Sequence, residues 1–201
     1  KNAINVVPGA AGTLTNEDID QASGIIKNSA VFLTQLEAPK DVVFYSLQMA
    51  HDNNVTTILN PAPAASIDQN IFPLIDYFTP NETEASFYVN HKVENESDAK
   101  KASNQFLNLG IKNIIITMGE KGAYFANKDE QFHVPIINLQ NPVVDTTGAG
   151  DAFNAGFAVA LTEKQNIRGA IKFASATAGL STTKIGTAKS MPLRDEIEKL
   201  L

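Results

Sequence analysis

The sequence has no cysteine, and its 16 basic residues are outnumbered by 22 acidic ones. Without cysteine, neither disulfide bonds nor thiolate chemistry can operate. The formal net charge of -6 and the isoelectric point near 5.0 argue against a nucleic-acid or membrane surface. We therefore expect small-molecule partners.

Long apolar runs and a signal peptide are also missing, so a cytoplasmic location is expected. With 201 residues, of which 43% are hydrophobic, the chain is long enough for one substantial core, and we expect residues 1–201 to form a single domain. The first residue is Lys1, and residues 4–7 already form an apolar, strand-like run. We expect the chain to be a fragment of a longer one.

Two familiar phosphate-binding motifs are absent. A P-loop needs Gly-x-x-x-x-Gly-Lys-Ser/Thr, and residues 186–190 supply its ending without the first glycine. The dinucleotide fingerprint fails as well, because Gly148 and Gly150 are followed by Phe153 where a third glycine belongs. A nicotinamide-dependent oxidoreductase is therefore a poor interpretation.

The most informative segment is residues 143–157, which predicts a short strand, a glycine turn and the start of a helix. The turn Gly148-Ala149-Gly150 leaves backbone N–H groups uncovered at a helix N-terminus, where an anion binds readily. Asp151 would compete with a bound phosphate unless it has its own task, such as accepting a proton from a hydroxyl beside that phosphate. The alternative, that Asp151 only caps the helix, stays open.

Strand-like segments alternate with helical ones along the chain. Strands are predicted at residues 31–36, 56–59, 77–79 and 114–118, with helices from residue 39 and at 66–72, 81–90 and 97–109. A hairpin at 123–126 and 131–134 and helices at 151–161, 167–183 and 192–201 follow. This alternation predicts a parallel sheet with right-handed crossovers.

In such a sheet, ligands gather beyond the carboxyl ends of the strands. Polar residues that follow successive strands are Glu37, Asn60, residues 79–84 and residues 117–122. Each alone could be a turn or cap residue. Together with the glycine turn they predict one cleft.

Asn81 and Glu84 share a face of a first helical turn, where they could hold a hydrated magnesium ion through water. They could also cap the helix and complement its dipole, and the two roles are compatible. Residues 117–122 would let backbone groups approach a nucleotide, or could form an ordinary turn into the hairpin.

Five of these segments together resemble the ribokinase family of carbohydrate kinases. They are Asp145-Thr-Thr-Gly-Ala-Gly-Asp151, Asn60-Pro-Ala-Pro63, Pro80-Asn-Glu-Thr-Glu84, Gln35-Leu-Glu37 and Thr117-Met-Gly119. The resemblance covers the whole chain. It implies a doubly wound, mainly parallel sheet flanked by helices in a three-layer α/β/α fold, and an ATP-dependent transferase of D-ribose catabolism that makes D-ribose 5-phosphate.

The resemblance also implies site residues. Asp151 would be the general base, and Gly148, Ala149 and Gly150 would form the anion hole. Glu37 and Asp151 would bind the sugar. The nucleotide contacts would come from Asn60, Thr117, Gly119, Glu120, Lys121, Gly122, Gly150 and Ser175. Asn81 and Glu84 would bind Mg²⁺ through water. A monovalent cation, usually K⁺, would lie among Asp145, Thr147, Ser181, Lys184, Gly186 and Ser190.

The chain departs from the family pattern in two respects. Roughly the first third of the family's chain is not matched, and with it the glycine-rich sugar-binding segment and most of the lid, which often builds a homodimer. Lid closure excludes water from phosphoryl transfer, so sugar binding should be weak without it. Thr187 also stands where alanine is usual. Other sugar or nucleoside kinases of the superfamily, and a non-catalytic nucleotide-binding module, remain alternatives.

Overall fold

A computed structural model describes residues 7–201. In this range six strands form one sheet in the order β1-β2-β3-β4-β5-β6. They are β1 (Val31–Thr34), β2 (Thr56–Leu59), β3 (Tyr77–Phe78), β4 (Asn113–Thr117), β5 (Ala123–Asn127) and β6 (Gln131–Val134). Strands β1 to β4 pair in parallel, whereas β5 pairs antiparallel with both β4 and β6, which confirms the mainly parallel sheet and the hairpin.

Helices cover both faces of the sheet. Between residues 7 and 201 they are α1 (Asn16–Gln21), α2 (Ser23–Lys27), α3 (Lys40–Asp52), α4 (Glu82–Val89), α5 (Glu96–Asn108), α6 (Ala149–Thr162), α7 (Ile167–Ser181) and α8 (Arg194–Leu200). One buried cluster joins α3, α4 and α5 to the sheet, and a second joins α6, α7 and α8 to it. The expected three-layer α/β/α fold is confirmed.

Strand β4 shows how the sequence divides the core between the two faces. Ile114 and Ile116 belong to the cluster beside α5, whereas Ile115 between them belongs to the cluster beside α6. All three side chains are fully buried. Because successive side chains of a strand point to opposite faces, three consecutive isoleucines stabilise both layers at once.

Two predicted elements are wrong. Residues 66–72 form no α-helix; a 3-10 helix, Gln69–Leu74, begins after Asp68, whose side chain accepts from Asn70 N, and it contains Pro73. Proline supplies no N–H for a longer helical ladder. The predicted strand near residue 143 is a loop, because the N–H groups of Val144 and Asp145 both donate to the Thr182 carbonyl. The run at 4–7 lies outside the described residues except for its last member.

Helices α6 and α7 approach each other closely at Gly156. A Cβ atom at this position would lie 2.6 Å from Thr177 Oγ1 and 3.1 Å from the Ala174 Cα, so only glycine allows this spacing. The contact fixes α6, and with it the turn that precedes the helix, against the rest of the domain. Among the helices of residues 7–201, none has both the length and the apolar character needed to cross a bilayer.

Candidate active site

A pocket of about 370 Å³ opens where β1 ends and α6 begins. Its polar lining includes Gln35, Glu37, Asp151 and Asn154. The first two follow β1, and the other two lie in the first turns of α6. The pocket therefore lies at the carboxyl end of the sheet, as the polar residues after the strands predict. It brings together Glu37 and Asp151, both predicted to bind sugar.

Asp151 lies in the first turn of α6, but it does not cap this helix. The N-cap residue is Gly148, with φ of 79°, and no side chain donates or accepts a capping hydrogen bond there. The exposed carboxylate of Asp151 instead accepts a 2.9 Å hydrogen bond at Oδ1 from Gln35 Nε2. The geometry thus favours an interaction with the pocket over the capping alternative.

The same Gln35 nitrogen donates to a second oxygen. Its partner is Asn60 Oδ1, also at 2.9 Å, and Asn60 Nδ2 in turn donates to the Thr79 carbonyl at 2.8 Å. Asn60 is only 7% exposed, and its own N–H donates to Thr34 O. Asn60, predicted to contact nucleotide, therefore lies beneath the pocket and reaches it through Gln35.

Thr79 also begins a second chain of hydrogen bonds. Its buried hydroxyl donates to Asn154 Oδ1 at 2.7 Å, and Asn154 Nδ2 donates to the Gly150 carbonyl at 2.9 Å. One residue at the end of β3 is thus connected to both parts of the site. Through Asn60 and Gln35 it reaches the Asp151 carboxylate, and through Asn154 it reaches the glycine turn.

The turn before α6 has room for a ligand on one side. A Cβ atom at Gly150 would meet no heavy atom within 4 Å, whereas a Cβ at Gly148 would lie 3.3 Å from Thr187 Cγ2. Gly148 is therefore packed against the following loop, and Gly150 faces open space. The Ala149 N–H donates to the Thr146 carbonyl at 3.2 Å, so the neighbouring N–H groups of this helix N-terminus, beside the open space, are the ones that suit an anion such as phosphate.

Asn81 and Glu84 form a reciprocal capping box at the start of α4. Glu84 N donates to Asn81 Oδ1 at 2.9 Å, and Asn81 N donates to Glu84 Oε2 at 2.8 Å. Thr117, at the end of β4, forms an isolated bridge with Asn81. Burial raises the pKa of the Glu84 carboxyl, and its hydrogen bonds with Asn81 only partly offset this. The capping role is thus observed, and a second carboxylate oxygen remains for a ligand.

Asp145 connects the two loops predicted to hold a monovalent cation. Its Oδ2 accepts from Gly186 N and its Oδ1 from Thr147 N, both at 2.9 Å. These donors, the Gly186 N–H above all, hold the pKa of the Asp145 carboxyl below its usual value. Ser190 is buried, and its hydroxyl donates to the Thr187 carbonyl of the same loop.

Two further members of that predicted set make other contacts. The Ser181 hydroxyl is turned into its own helix, where it donates to Ala178 O. The Lys184 amino group forms a salt bridge of 3.1 Å with Glu196 on α8. The Lys184 side chain therefore leaves only its backbone oxygen to face a cation, whereas Ser181 can offer its backbone oxygen or the lone pairs of its hydroxyl.

Residues 117–122 form the turn between β4 and β5, as the structural alternative predicted. Met118 N donates to Gly122 O, and Gly119 to Lys121 form one turn of 3-10 helix. Gly119 and Glu120 are exposed, whereas the Lys121 amino group contacts Glu82 Oε1 and Glu94 O.

The remaining predicted nucleotide contact, Ser175, is half-buried in α7. This helix does not contribute to the lining of the pocket beside Asp151. The predicted nucleotide residues therefore occupy several places in the fold rather than that one pocket.

Sequence reasoning missed the roles of Gln35 and Asn154. Both carried a detectable signal. Gln35 directly follows a strand, the same criterion that identified Glu37. Asn154 is a polar residue inside the apolar stripe of α6, and it is only 4% exposed. A buried amide among apolar neighbours needs hydrogen-bond partners and so indicates a network.

Comparisons with known proteins are consistent with this geometry. The model of the family described as pfkB family carbohydrate kinase matches residues 1–194. A ribokinase of Staphylococcus aureus is 38% identical over 201 residues, which are 100% of this chain and 66% of that protein. A deoxyribokinase of Salmonella typhi is 34% identical over 100% of this chain and 65% of its own length.

A solved structure is similar as well. Arabidopsis thaliana ribokinase, complexed with ribose and ATP, superposes with a TM-score of 0.91 at 30% identity, over 100% of this chain and 65% of that one. The chain therefore spans just under two thirds of the length of the relatives that it matches.

Proposed function

The chain belongs to the pfkB family of carbohydrate kinases, and on this basis we propose that it carries the nucleotide-binding and catalytic part of an ATP-dependent sugar kinase. The substrate that we propose is D-ribose, and the product is D-ribose 5-phosphate. One observation carries the proposal. The Asp151 carboxylate lies in a pocket beside a helix N-terminus whose Gly150 faces open space.

The chemistry follows from that juxtaposition. A sugar hydroxyl in the pocket would lose its proton to Asp151 as its oxygen attacks the γ-phosphorus of ATP. The bond between that phosphorus and the bridging oxygen breaks, and ADP leaves with the electron pair. The N–H groups of Gly148 and Gly150, and that of Ala149 once it leaves the Thr146 carbonyl, would stabilise the charge that develops on the transferring phosphoryl group. Glu37 would accept hydrogen bonds from other sugar hydroxyls.

We propose that the nucleotide binds across the carboxyl edge of the sheet rather than inside the pocket beside Asp151. Asn60, Thr117, Gly119, Gly122 and Ser175 are proposed to contact ATP, together with Glu120, Lys121 and Gly150. Lys121 would have to leave its contact with Glu82 to reach a phosphate. We propose that residues 1–201 act as one unit, because the site combines side chains from β1 through to the loop before α8.

Magnesium fits at Glu84. The Asn81 N–H occupies one carboxylate oxygen of Glu84, so the other is left for a hydrated ion. A cation would also favour the charged form of a carboxylate that burial disfavours. When bound, Mg²⁺ would neutralise charge on the phosphates. The residues that would hold it are Asn81 and Glu84.

A monovalent cation fits the loop pair joined by Asp145. Its proposed ligands are carbonyl, hydroxyl and carboxylate oxygens, which suit a hard cation. They come from Asp145, Thr147, Ser181, Lys184, Gly186 and Ser190. When bound, K⁺ would stabilise the loops on either side of the glycine turn.

The choice of sugar rests on the relatives. One similar protein is a ribokinase, and a similar solved ribokinase is complexed with ribose and ATP. A deoxyribokinase at 34% identity makes 2-deoxy-D-ribose the second candidate substrate. We further propose a cytoplasmic location, where ATP is available, and, for the full-length protein, a homodimer. Light scattering of the purified protein measures the oligomeric state.

The test is sugar-dependent release of ADP from ATP and Mg²⁺ by this chain. D-ribose, 2-deoxy-D-ribose and a small panel of other sugars are compared, first in potassium and then in sodium. Asp151→Asn should keep ATP binding, measured by calorimetry, and lower kcat by about 10³-fold or more. Asp195→Asn is the matched control, because it removes an exposed first-turn carboxylate from α8, a helix that does not line the pocket.

Two outcomes contradict the proposal. Turnover in Asp151→Asn equal to that of the unchanged protein means that Asp151 is not the base. ATP binding without ADP release, for any sugar, means that the chain is a nucleotide-binding module.

A further inference from the structure

We propose that Gln35 is the positioning residue for the general base. It holds the Asp151 carboxylate in one orientation through a series of amides fixed to the backbone. This inference rests on the proposed function, because it assigns a partner to the base of the same reaction. Three hydrogen bonds of 2.8 to 2.9 Å carry it, and they run from the Thr79 carbonyl to Asp151 Oδ1.

The direction of each amide in this series is determined by the one before it. The Thr79 carbonyl can only accept, so Asn60 must turn its NH₂ group toward it. The Asn60 oxygen then faces Gln35, which must also present its NH₂ group. One N–H of Gln35 is used by Asn60, and the second points at Asp151 Oδ1. A flipped Gln35 would place its oxygen against two acceptors.

The backbone beside Gln35 is held in place as well. The next residue, Leu36, is buried in the core, and its N–H donates to Ala62 O at 2.9 Å. Asn60 is itself bound to β1 through Thr34 O. The donor group of Gln35 is therefore presented from a rigid strand end rather than from a free loop.

This arrangement gives the two oxygens of Asp151 different roles in the reaction. Oδ1 is occupied by an amide N–H that cannot accept a proton. Oδ2 is thus the oxygen that receives the proton of the sugar hydroxyl while the oxygen–phosphorus bond forms and ADP departs. Small errors in the placement of a reacting group cost large factors in rate, so loss of Gln35 should lower kcat.

The kinetic test uses Gln35→Met, which keeps the length of the side chain and removes the donor. We expect kcat at saturating sugar to fall by about 10- to 100-fold, with KM for ATP unchanged within about 2-fold. Gln48→Met is the matched control, because Gln48 also donates to an aspartate, Asp52, but on the exposed surface of α3. It should retain full activity.

A double-mutant cycle separates positioning from a general structural effect. In the Asp151→Asn background there is no base to orient, so adding Gln35→Met should lower the residual kcat by less than about 2-fold. A loss that persists undiminished in this background would mean that Gln35 supports the fold of the pocket, and the inference would be wrong.

A second readout needs no turnover. The side-chain NH₂ resonances of Gln35, observed by NMR at one neutral pH, should shift when Asp151→Asn replaces the carboxylate acceptor of one of its N–H groups with an amide. Glu37 lines the same pocket, so Glu37→Gln is the control and should move these resonances far less. The Gln48 resonances should be the same in all three proteins. Gln35 resonances that Asp151→Asn leaves unchanged overturn the inference, even if the protein shows no kinase activity.

The two proposals can therefore fail separately. If Asp151→Asn is fully active, the proposed function fails. If Asp151→Asn is inactive while Gln35→Met turns over like the unchanged protein, the proposed function stands and the role of Gln35 is wrong.

Discussion

The Thr79 hydroxyl donates a 2.7 Å hydrogen bond to Asn154 Oδ1, which joins two buried residues that are 75 positions apart. Asn154 in turn binds the Gly150 carbonyl. The end of β3 is therefore attached directly to the turn that is proposed to receive the phosphoryl group. This attachment ties a partly exposed turn to the buried end of the sheet.

Thr79→Val should remove the hydrogen bond between the end of β3 and α6 while the side-chain volume stays nearly the same. Asn154 Oδ1 would stay buried without its donor, which costs about 1–3 kcal/mol of unfolding free energy. We also expect a lower kcat, because the glycine turn loses its support. Urea unfolding and ADP release measure the two effects. Thr79→Ser keeps the hydroxyl and should retain most of the activity, and equal losses in both variants would exclude the hydrogen bond as the cause.

Two glycine substitutions distinguish a structural glycine from a ligand-facing one. Gly122 has φ of 87°, and a Cβ there would lie 2.2 Å from the Val134 carbonyl oxygen, so Gly122→Ala should destabilise the protein by more than about 1 kcal/mol. A Cβ at Gly150 would meet no heavy atom within 4 Å, so Gly150→Ala should preserve the melting temperature.

Gly150→Ala should nevertheless lower kcat, because the new methyl group would occupy the space proposed for phosphate. Thermal unfolding and ADP release are compared for both variants. A fully active Gly150→Ala would argue that phosphate binds elsewhere.

Glu84→Gln should separate stability from metal binding. The glutamine oxygen can still accept from Asn81 N, so the capping box survives. Because burial raises the pKa of Glu84, its charged form is disfavoured in the folded protein. We therefore expect the variant to be at least as stable as the unchanged protein at pH 7, and to need more Mg²⁺ for half-maximal ADP release.

The pH dependence of stability gives a further check on Glu84. The folded protein holds this proton more tightly than the unfolded chain does, so the contribution of Glu84 to stability is fully present below its ordinary pKa of 4.5. It is lost as the pH rises through the raised pKa. Glu84→Gln should remove this contribution to the pH dependence of the unfolding free energy. Asp98→Asn, at the start of α5, is the control and should leave the contribution of Glu84 unchanged.

Asp145→Asn should weaken the response to potassium. An amide has one oxygen for the two N–H donors of Thr147 and Gly186, so one loop loses its attachment. The ratio of ADP release in potassium to that in sodium should fall toward one. Because the pKa of Asp145 is lowered, its contribution to stability is fully present above its ordinary pKa of 3.8 and is lost as the pH falls through the lowered pKa. If the ratio of ADP release in potassium to that in sodium is unchanged, Asp145 is not part of the cation site.

The sheet was predictable because its signals are local. Strand β1 appears within the predicted residues 31–36, and β2 covers the predicted residues 56–59. The predicted helix at 66–72 is wrong, because hydrophobic periodicity does not reveal the missing N–H of Pro73 or the short turn that begins at Asp68. Near residue 143, two valines have strand propensity, but the N–H groups of Val144 and Asp145 donate to the Thr182 carbonyl instead of to a neighbouring strand.

The candidate site was predictable in its residue types but not in its pairings. Asp151 and Glu37 follow from a motif and from their positions after a turn and a strand. The partner of Asp151 is Gln35, 116 positions away, and no spacing rule connects residues at that separation. Such pairs are determined by how strands are ordered in the sheet, which the sequence expresses only through the packing of the whole core.

The close approach of Gly156 to Thr177 has a consequence for how this active site can evolve. Helix α6 cannot slide along α7, because its backbone would collide with the Thr177 side chain. The contact at Gly156, five positions after Asp151, therefore determines how far Asp151 reaches into the pocket. Acceptors of different length or shape must then be accommodated from the opposite wall, by residues such as Glu37 after β1. New substrate preferences should accumulate there, while the wall built on α6 stays constant.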